Sequence, residues 1–277
     1  MLGDSFNFMA QEIERYMEEM KEKARLENEL KTAQLVQKSF FPTDSISGPS
    51  LALKAYYKPA SECGGDWWGY LKTAQSEIVI LLDVTGHGTA AALVTAVTHN
   101  ALTALEYLIE RDDKFAKSPE KIMEYLNKSL CSMDINLNAT AFVLVISDGQ
   151  ITYTNASHNP PYYIQFNESG NYEKNNFQPL MEAQGVRLGE STKSVYTSSS
   201  FTFNDKDNLI LYTDGILEAE NMNNKAYGTR RFIKSLSENL NLSANEVITK
   251  NIETFNDFLD GASPNDDITL INLKLKK

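Results

Sequence analysis

Histidine and cysteine are nearly absent, with three of one and two of the other in 277 residues. Cys63 and Cys131 form neither a disulfide framework nor a paired C-x2-C zinc pattern, and read as ordinary thiols of a reducing compartment. His87, His99 and His158 have no zinc-site spacing. No G-x-S-x-G elbow or Cys-His pair marks a protein nucleophile, and no G-x4-G-K-[ST] loop marks a nucleotide triphosphate site. No unbroken apolar run approaches the roughly 20 residues that span a bilayer, and no signal peptide is visible. Positive charge is also short: 26 basic residues against 37 acidic ones leave a net charge of −11. Such a surface repels nucleic acid and anionic lipid, so neither is an expected partner. The expectation is a soluble, cytoplasmic fragment that needs cations if it acts on phosphate.

What is present suffices for one large domain and an appendage: 42% of the residues are hydrophobic. Residues 9–40 hold no Gly or Pro and are dominated by Glu, Lys, Met and Leu, a long helix. Ile13, Met17, Met20 and Ala24 form one apolar stripe, and Leu26, Leu30, Ala33, Gln37 and Phe40 a second, shifted one. The spacing predicts a dimeric coiled coil with a phase break. Pro42 ends the helix, and 43–50 is a linker, dividing a transmitter at 1–42 from a domain at 43–277. Strands are predicted at 51–58, 77–84, 139–147, 150–155, 161–166, 195–203, 208–213 and 268–275, and helices at 89–111, 118–133, 229–240 and 243–260. Ser118-Pro119 supplies a cap and a first helical residue. Asp148-Gly149 joins two strands in a tight hairpin. The class is α+β, mostly antiparallel sheet with helices outside; 167–194 reads as loop.

The stretch ILLDVTGHG, residues 80–88, joins a buried-looking run to a carboxylate and then to two glycines. Gly86-His87-Gly88-Thr89-Ala90-Ala91 fits the G-x-G-x-x-A of a dinucleotide site. That site requires a second parallel strand after the helix, whereas none is predicted before 139. The aspartates suggest a different logic. Asp83 and Asp214 each follow an apolar strand, Asp266 and Asp267 open another, and Asp66 lies in Gly64-Gly65-Asp66-Trp67-Trp68. Acids at core strand ends cost several kcal/mol to desolvate unless neutralised. No Lys or Arg adjoins them in sequence. Converging oxygen ligands select Mg²⁺ or Mn²⁺ over zinc.

ASECGGDWWGY, ILLDVTGHGTAAAL, ITYTNASHNPPYYI, GVRLGE, NLILYTDGILEAEN, YGTRRF and NDDITLI resemble, in order, the motifs of the PPM-type metal-dependent serine/threonine protein phosphatases, most closely the bacterial SpoIIE/RsbU branch. The resemblance covers about residues 33–275. It implies an αββα four-layer sandwich with a site for two ions, Mn²⁺ or Mg²⁺, and hydrolysis of phosphoserine or phosphothreonine by a two-metal-activated water. It implies Asp83 as the bridging ligand, with the Val84 carbonyl and Asp66 at the second ion. Asp214 and Asp266 fall at the first, with Asp267, in a place more often held by Asn in eukaryotic relatives, ranked behind them. His87 is a candidate proton donor to the leaving group or a structural residue, and His158 reads as a structural turn near the site. Trp67 and Trp68 read as core. No motif matches the phosphate-gripping arginine of eukaryotic members.

Residues 2–16, LGDSFNFMAQEIERY, resemble the last helix of a HAMP domain, which implies a membrane receptor upstream. The branch suggests a phosphorylated STAS-domain substrate, control through the N-terminal helix and a homodimer through 9–40. A non-catalytic, partner-binding module of the same fold is the alternative.

Overall fold

The computed structural model describes every residue except 1, 87, 110, 112–114, 134–136, 170–171 and 277. Helix α1 (Leu2–Lys38) leads into β1 (Ser45–Ser47), β2 (Leu51–Lys58), β3 (Trp67–Lys72) and β4 (Glu77–Val84). Two helices follow, α2 (Thr89–Ile109) and α3 (Pro119–Cys131), then β5 (Ala139–Ser147), β6 (Gln150–Ala156) and β7 (Tyr162–Ile164). A 3-10 turn (Lys174–Asn176) precedes β8 (Phe177–Pro179), β9 (Gln184–Gly185), β10 (Ser199–Thr202) and β11 (Asn208–Tyr212). The chain closes with α4 (Gly215–Glu218), α5 (Gly228–Ser237), α6 (Ala244–Leu259) and β12 (Ile268–Leu275).

One sheet has the order β1-β2-β12-β11-β7-β8 and the other β10-β6-β5-β4-β3, with β9 joined to β6. Among the paired strands described, β6–β9 is parallel and the others are antiparallel. Strand β4 shows why four layers form. Ile78, Ile80 and Leu82 face α2 and α3, packing with Val94, Leu105 and Leu126. Val79 and Leu81 face the other sheet, among Trp68, Phe142, Leu211 and Ile271. A strand buried on both sides must be apolar throughout, hence its unbroken run. On the far side, Ile210, Tyr212 and Leu270 pack beneath Phe232, Val247 and Phe255 of α5 and α6. The layers are therefore helix, sheet, sheet, helix. The chain returns from β4 through two helices to β5, which runs antiparallel to it, whereas a βαβ nucleotide unit needs a parallel strand there.

Local signals act as expected at several ends. Ser147 pairs with Gln150 around Asp148 and Gly149, both at positive φ. Ser243 and Glu246 form a capping box at α6. Ser118 precedes α3, but its side chain makes no capping hydrogen bond; Pro119 supplies the start. Several predictions need correction. Trp67–Lys72 is a strand, with Trp67 in the helix-side core and Trp68 between the sheets. The linker forms β1, and the presumed loop at 167–194 contains a 3-10 turn and two short strands. The strand expected at 195–203 shrinks to Ser199–Thr202. By composition α2 is long and apolar enough to cross a membrane, yet Val94, Ala101 and Leu105 lie in the core.

Helix α1 has two regimes. Ile13, Met17, Met20 and Leu26 are exposed. From Leu30 onward, Leu30 and Ala33 are half-buried and Gln37 is buried, while Phe40 just beyond packs on the helix-side core. The later positions of the second predicted stripe thus dock on this chain's own domain. His99 stacks on Phe40 with ring centroids 5.2 Å apart, a packing role.

Phe142 is fully buried between the sheets. Phe142→Ala is expected to lower unfolding free energy by about 3–5 kcal/mol, read as a lower urea midpoint at unchanged slope.

Candidate metal centre

Four separated segments bring acids to one end of the sandwich. Asp83 is the penultimate residue of β4, and Asp66 directly precedes β3, whose first residue Trp67 pairs with Leu82. Asp214 follows β11, and Asp266 and Asp267 precede β12, where Tyr212 pairs with Leu270.

Asp66 is buried, and its Oδ2 accepts hydrogen bonds from the hydroxyls of Thr213, at 2.7 Å, and Thr269, at 2.6 Å. Thr213 and Thr269 stand on neighbouring strand ends and are themselves tied, Thr269 N donating to Thr213 Oγ1 at 2.9 Å. Both threonines stand in the stretches NLILYTDGILEAEN and NDDITLI, beside the acids that the resemblance makes ligands. A hydroxyl at a strand end, one or two residues from an acid in each motif, was the available signal.

Asp267 is also buried, and its oxygens are engaged by backbone. Oδ1 accepts from Ala60 N at 2.8 Å, and Oδ2 from Gly65 N and, at 3.2 Å, Asp66 N. It braces the loop that carries Asp66. Asp266 is exposed, and its Oδ1 accepts from Asp267 N.

Burial pushes the Asp66 carboxyl well above the usual carboxylate range, and the charge of Asp83 adds to this. Asp83 is pushed up to about 7, first by burial and then by Asp214, Asp266, Asp267 and Glu218. Asp214 is raised by burial and by Asp266. Glu218, one turn beyond Asp214 and unremarked in the sequence reading, is raised by burial, Asp214 and Asp266. Among the described residues, no ion pair involves any of these acids.

Among the described residues, no three acidic, imidazole or thiol side chains converge closely enough to grip one ion. The acids are electrostatic neighbours rather than a closed cage. The donor set nevertheless fits a hard cation, being carboxylate and carbonyl oxygen only. A Cβ on Gly65 would lie 2.9 Å from both the Val84 and Gly86 carbonyl oxygens, so the glycine packs closely against both. Gly86 and Gly88 have φ of 86° and 85°, left-handed values that glycine adopts freely. Gly88 N donates to Cys63 O at 3.2 Å and Val84 N to Gly65 O at 3.3 Å. His87 lies outside the described residues.

His158 bridges the sheets behind the acids. Its Nε2 faces Tyr212 O at 3.2 Å and Nδ1 faces Thr140 Oγ1 at 2.7 Å. A carbonyl can only accept, so Nε2 carries the proton and Nδ1 accepts from Thr140. Burial pushes its pKa down to about 4, so the ring is a neutral structural link. Ser157 sits at φ 55° and its hydroxyl donates to Gly185 O.

A family described as Stage II sporulation protein E (SpoIIE) matches residues 74–276. The chain belongs to the SpoIIE family. Within its wider kinship it is 30% identical over 204 residues to the phosphoserine phosphatase RsbP of Bacillus subtilis, covering 71% of this chain and 47% of RsbP. It is 24% identical to the phosphoserine phosphatase RsbU of the same organism, covering 91% of this chain and 71% of RsbU. The chain thus spans about half of one relative and most of the other. Among solved structures, the SiaA-PP2C domain of Pseudomonas aeruginosa matches with a TM-score of 0.74 at 20% identity, covering 92% of this chain and 98% of that one. The phosphatase PstP, solved with two manganese ions, matches at 0.55 and 13% identity, covering 82% of this chain and 99% of that one. The SpoIIE-family chain therefore has the PP2C fold that its motifs implied.

An Asp with a raised folded pKa favours the folded state most at low pH. That contribution is lost as pH rises from the ordinary carboxylate value through about 7. In chelating buffer, the melting temperature is expected to fall between about pH 4 and pH 7, and Asp83→Asn is expected to flatten the fall.

Proposed function

We propose that this chain is a divalent-cation-dependent protein serine/threonine phosphatase. The observation that carries this reading is the assembly of Asp66, Asp83, Asp214 and Asp266 at one sandwich end, without a basic partner among the described residues. Asp83, Asp66 and the Val84 carbonyl would hold one ion, and Asp83, Asp214 and Asp266 would draw together to hold a second, since the three do not already converge on one point. Asp267 serves behind them as the brace of the Asp66 loop. When bound, two Mn²⁺ or Mg²⁺ ions would supply Lewis acidity, lowering the pKa of water and offsetting charge on phosphoryl oxygens.

The protein's own groups do the rest by positioning. Thr213 and Thr269 hold one oxygen of Asp66 and set the carboxylate's orientation. The His158 bridge fixes the spacing of β5 and β11, and with it that of Asp83 and Asp214. The acidic rim repels free anions, so a phosphate group reaches the site only with cations to neutralise it. The relatives' names as phosphoserine phosphatases support a phosphoprotein substrate, and we extend this to a phosphorylated STAS-domain protein. The cytoplasm is the compartment this reading requires.

Hydrolysis of para-nitrophenyl phosphate and of a phosphoserine protein should require Mn²⁺ or Mg²⁺. Asp83→Asn should reduce turnover by about 10²–10³-fold with the fold intact by circular dichroism. Near-normal turnover in that variant would sink the assignment. Absence of turnover in the parent, also in longer or dimerised forms, would favour a non-catalytic partner-binding role.

The exposed stripe Ile13, Met17 and Met20 on α1 supports a parallel homodimer through the helix as the control input. Sedimentation should show a dimer, and Met17→Glu with Met20→Glu should yield a monomer. A monomeric parent would overturn this part.

A further inference from the structure

Among the described residues of α1, only one is fully buried, and it is a glutamine. Gln37 is 4% exposed on the helix's last turn. Its position in the coiled-coil spacing predicts a seam residue facing a second helix. Instead its carboxamide turns inward and clamps both backbone polar groups of one domain residue, Gly64. Nε2 donates to Gly64 O at 2.7 Å, and Oε1 accepts from Gly64 N at 3.2 Å. Nε2 also donates to Thr95 Oγ1 of α2 at 3.1 Å, and Thr95 in turn donates to Ala92 O. A single side chain thus joins the end of α1, the glycine loop and α2.

The clamped residue is one peptide from the metal side of the site. Gly64 is followed by Gly65, which lies against the Val84 and Gly86 carbonyls, and by Asp66. Gly65 N and Asp66 N are held from the other side by Asp267. Two flexible glycines carrying a buried carboxylate have many conformations open to them. Here Gln37 grips the loop at its first glycine and Asp267 at its second. Removing one grip frees the loop to move while the strands remain intact.

We infer that Gln37 is a positioning residue for the metal centre. It sets the Gly64-Gly65-Asp66 loop so that Asp66 and the Val84 carbonyl face a common cation. The inference rests on the phosphatase reading for the identity of the centre. The amide is required because it donates to a carbonyl and accepts from an N–H at once. An apolar side chain of the same length fills the space and does neither. Because Gln37 belongs to the helix that projects from the domain, rotation or withdrawal of α1's last turn would release the same loop.

The test uses Gln37→Met, which keeps length and volume, and Phe40→Leu, which loosens the helix end without touching the clamp. In the chelated protein, Gln37→Met should raise amide hydrogen exchange at residues 63–66 while β4 and β12 stay protected. Calorimetric titration with Mn²⁺ should show affinity weakened by about 10–100-fold, the range typical when a ligand's support is removed. Phosphatase turnover should recover toward the parent value at saturating Mn²⁺. Phe40→Leu should lower the melting temperature while leaving Mn²⁺ affinity within about twofold, since it removes no support from a ligand. Equal Mn²⁺ affinity and equal loop exchange in Gln37→Met and the parent would overturn the positioning role alone. Failure of the parent to bind Mn²⁺ would overturn the phosphatase reading and this inference together. Global unfolding of Gln37→Met, with all amides exchanging, would assign Gln37 to stability instead.

Discussion

A carboxylate buried where two sheets meet is the constraint around which this end of the molecule is built. Asp66 opens a strand of one sheet, and its oxygen is held by hydroxyls from two strand ends of the other. Burying that group is costly without partners. The partners come from Thr213 and Thr269, which are placed by the β11–β12 pairing. Their spacing, in turn, fixes where Asp214 and Asp266 emerge. Loss of register in either sheet would leave a buried carboxylate unpartnered. Packing of the four layers and assembly of the acids are therefore one problem, solved by the same contacts.

Much of this could be read from the chain itself. Strand β4 announced itself because a strand covered on both faces must be apolar at every position, and its terminal acid was conspicuous for that reason. Strand β3 was not, since Trp67 and Trp68 are both apolar yet face opposite layers, and Gly69 interrupts any alternation. The short strands β8 and β9 hold two or three residues each and depend on neighbours for their pairing, so no local pattern marks them. The acids were found by their placement at strand ends. The threonines that orient Asp66 were passed over because a hydroxyl in a strand is ordinary until its partner is known.

Gln37 illustrates a different limit. A helix lying on its own domain and a helix in a coiled coil bury residues at the same spacing, so periodicity cannot name the partner. The distinction lies in the side chain at the buried position. A glutamine among leucine and alanine is a weak seam residue but a good match for a residue's backbone N–H and C=O, and Gly64 offers both. The two regimes of α1 follow: a projecting segment with exposed Met and Ile, and a terminal turn that is part of the domain.

The His158 link carries one more consequence. Its ring stays uncharged well below neutrality because burial disfavours the charged imidazolium, an effect the hydrogen bond to Tyr212 O only partly offsets. Folding therefore favours the neutral ring, a contribution present above the ordinary histidine value and lost as pH falls toward about 4. Between those limits and the alkaline range the strut between β5 and β11 keeps one length. The acids move through their titrations on a frame that does not, so changes with pH near neutrality report the charge of the centre rather than the distance between its walls.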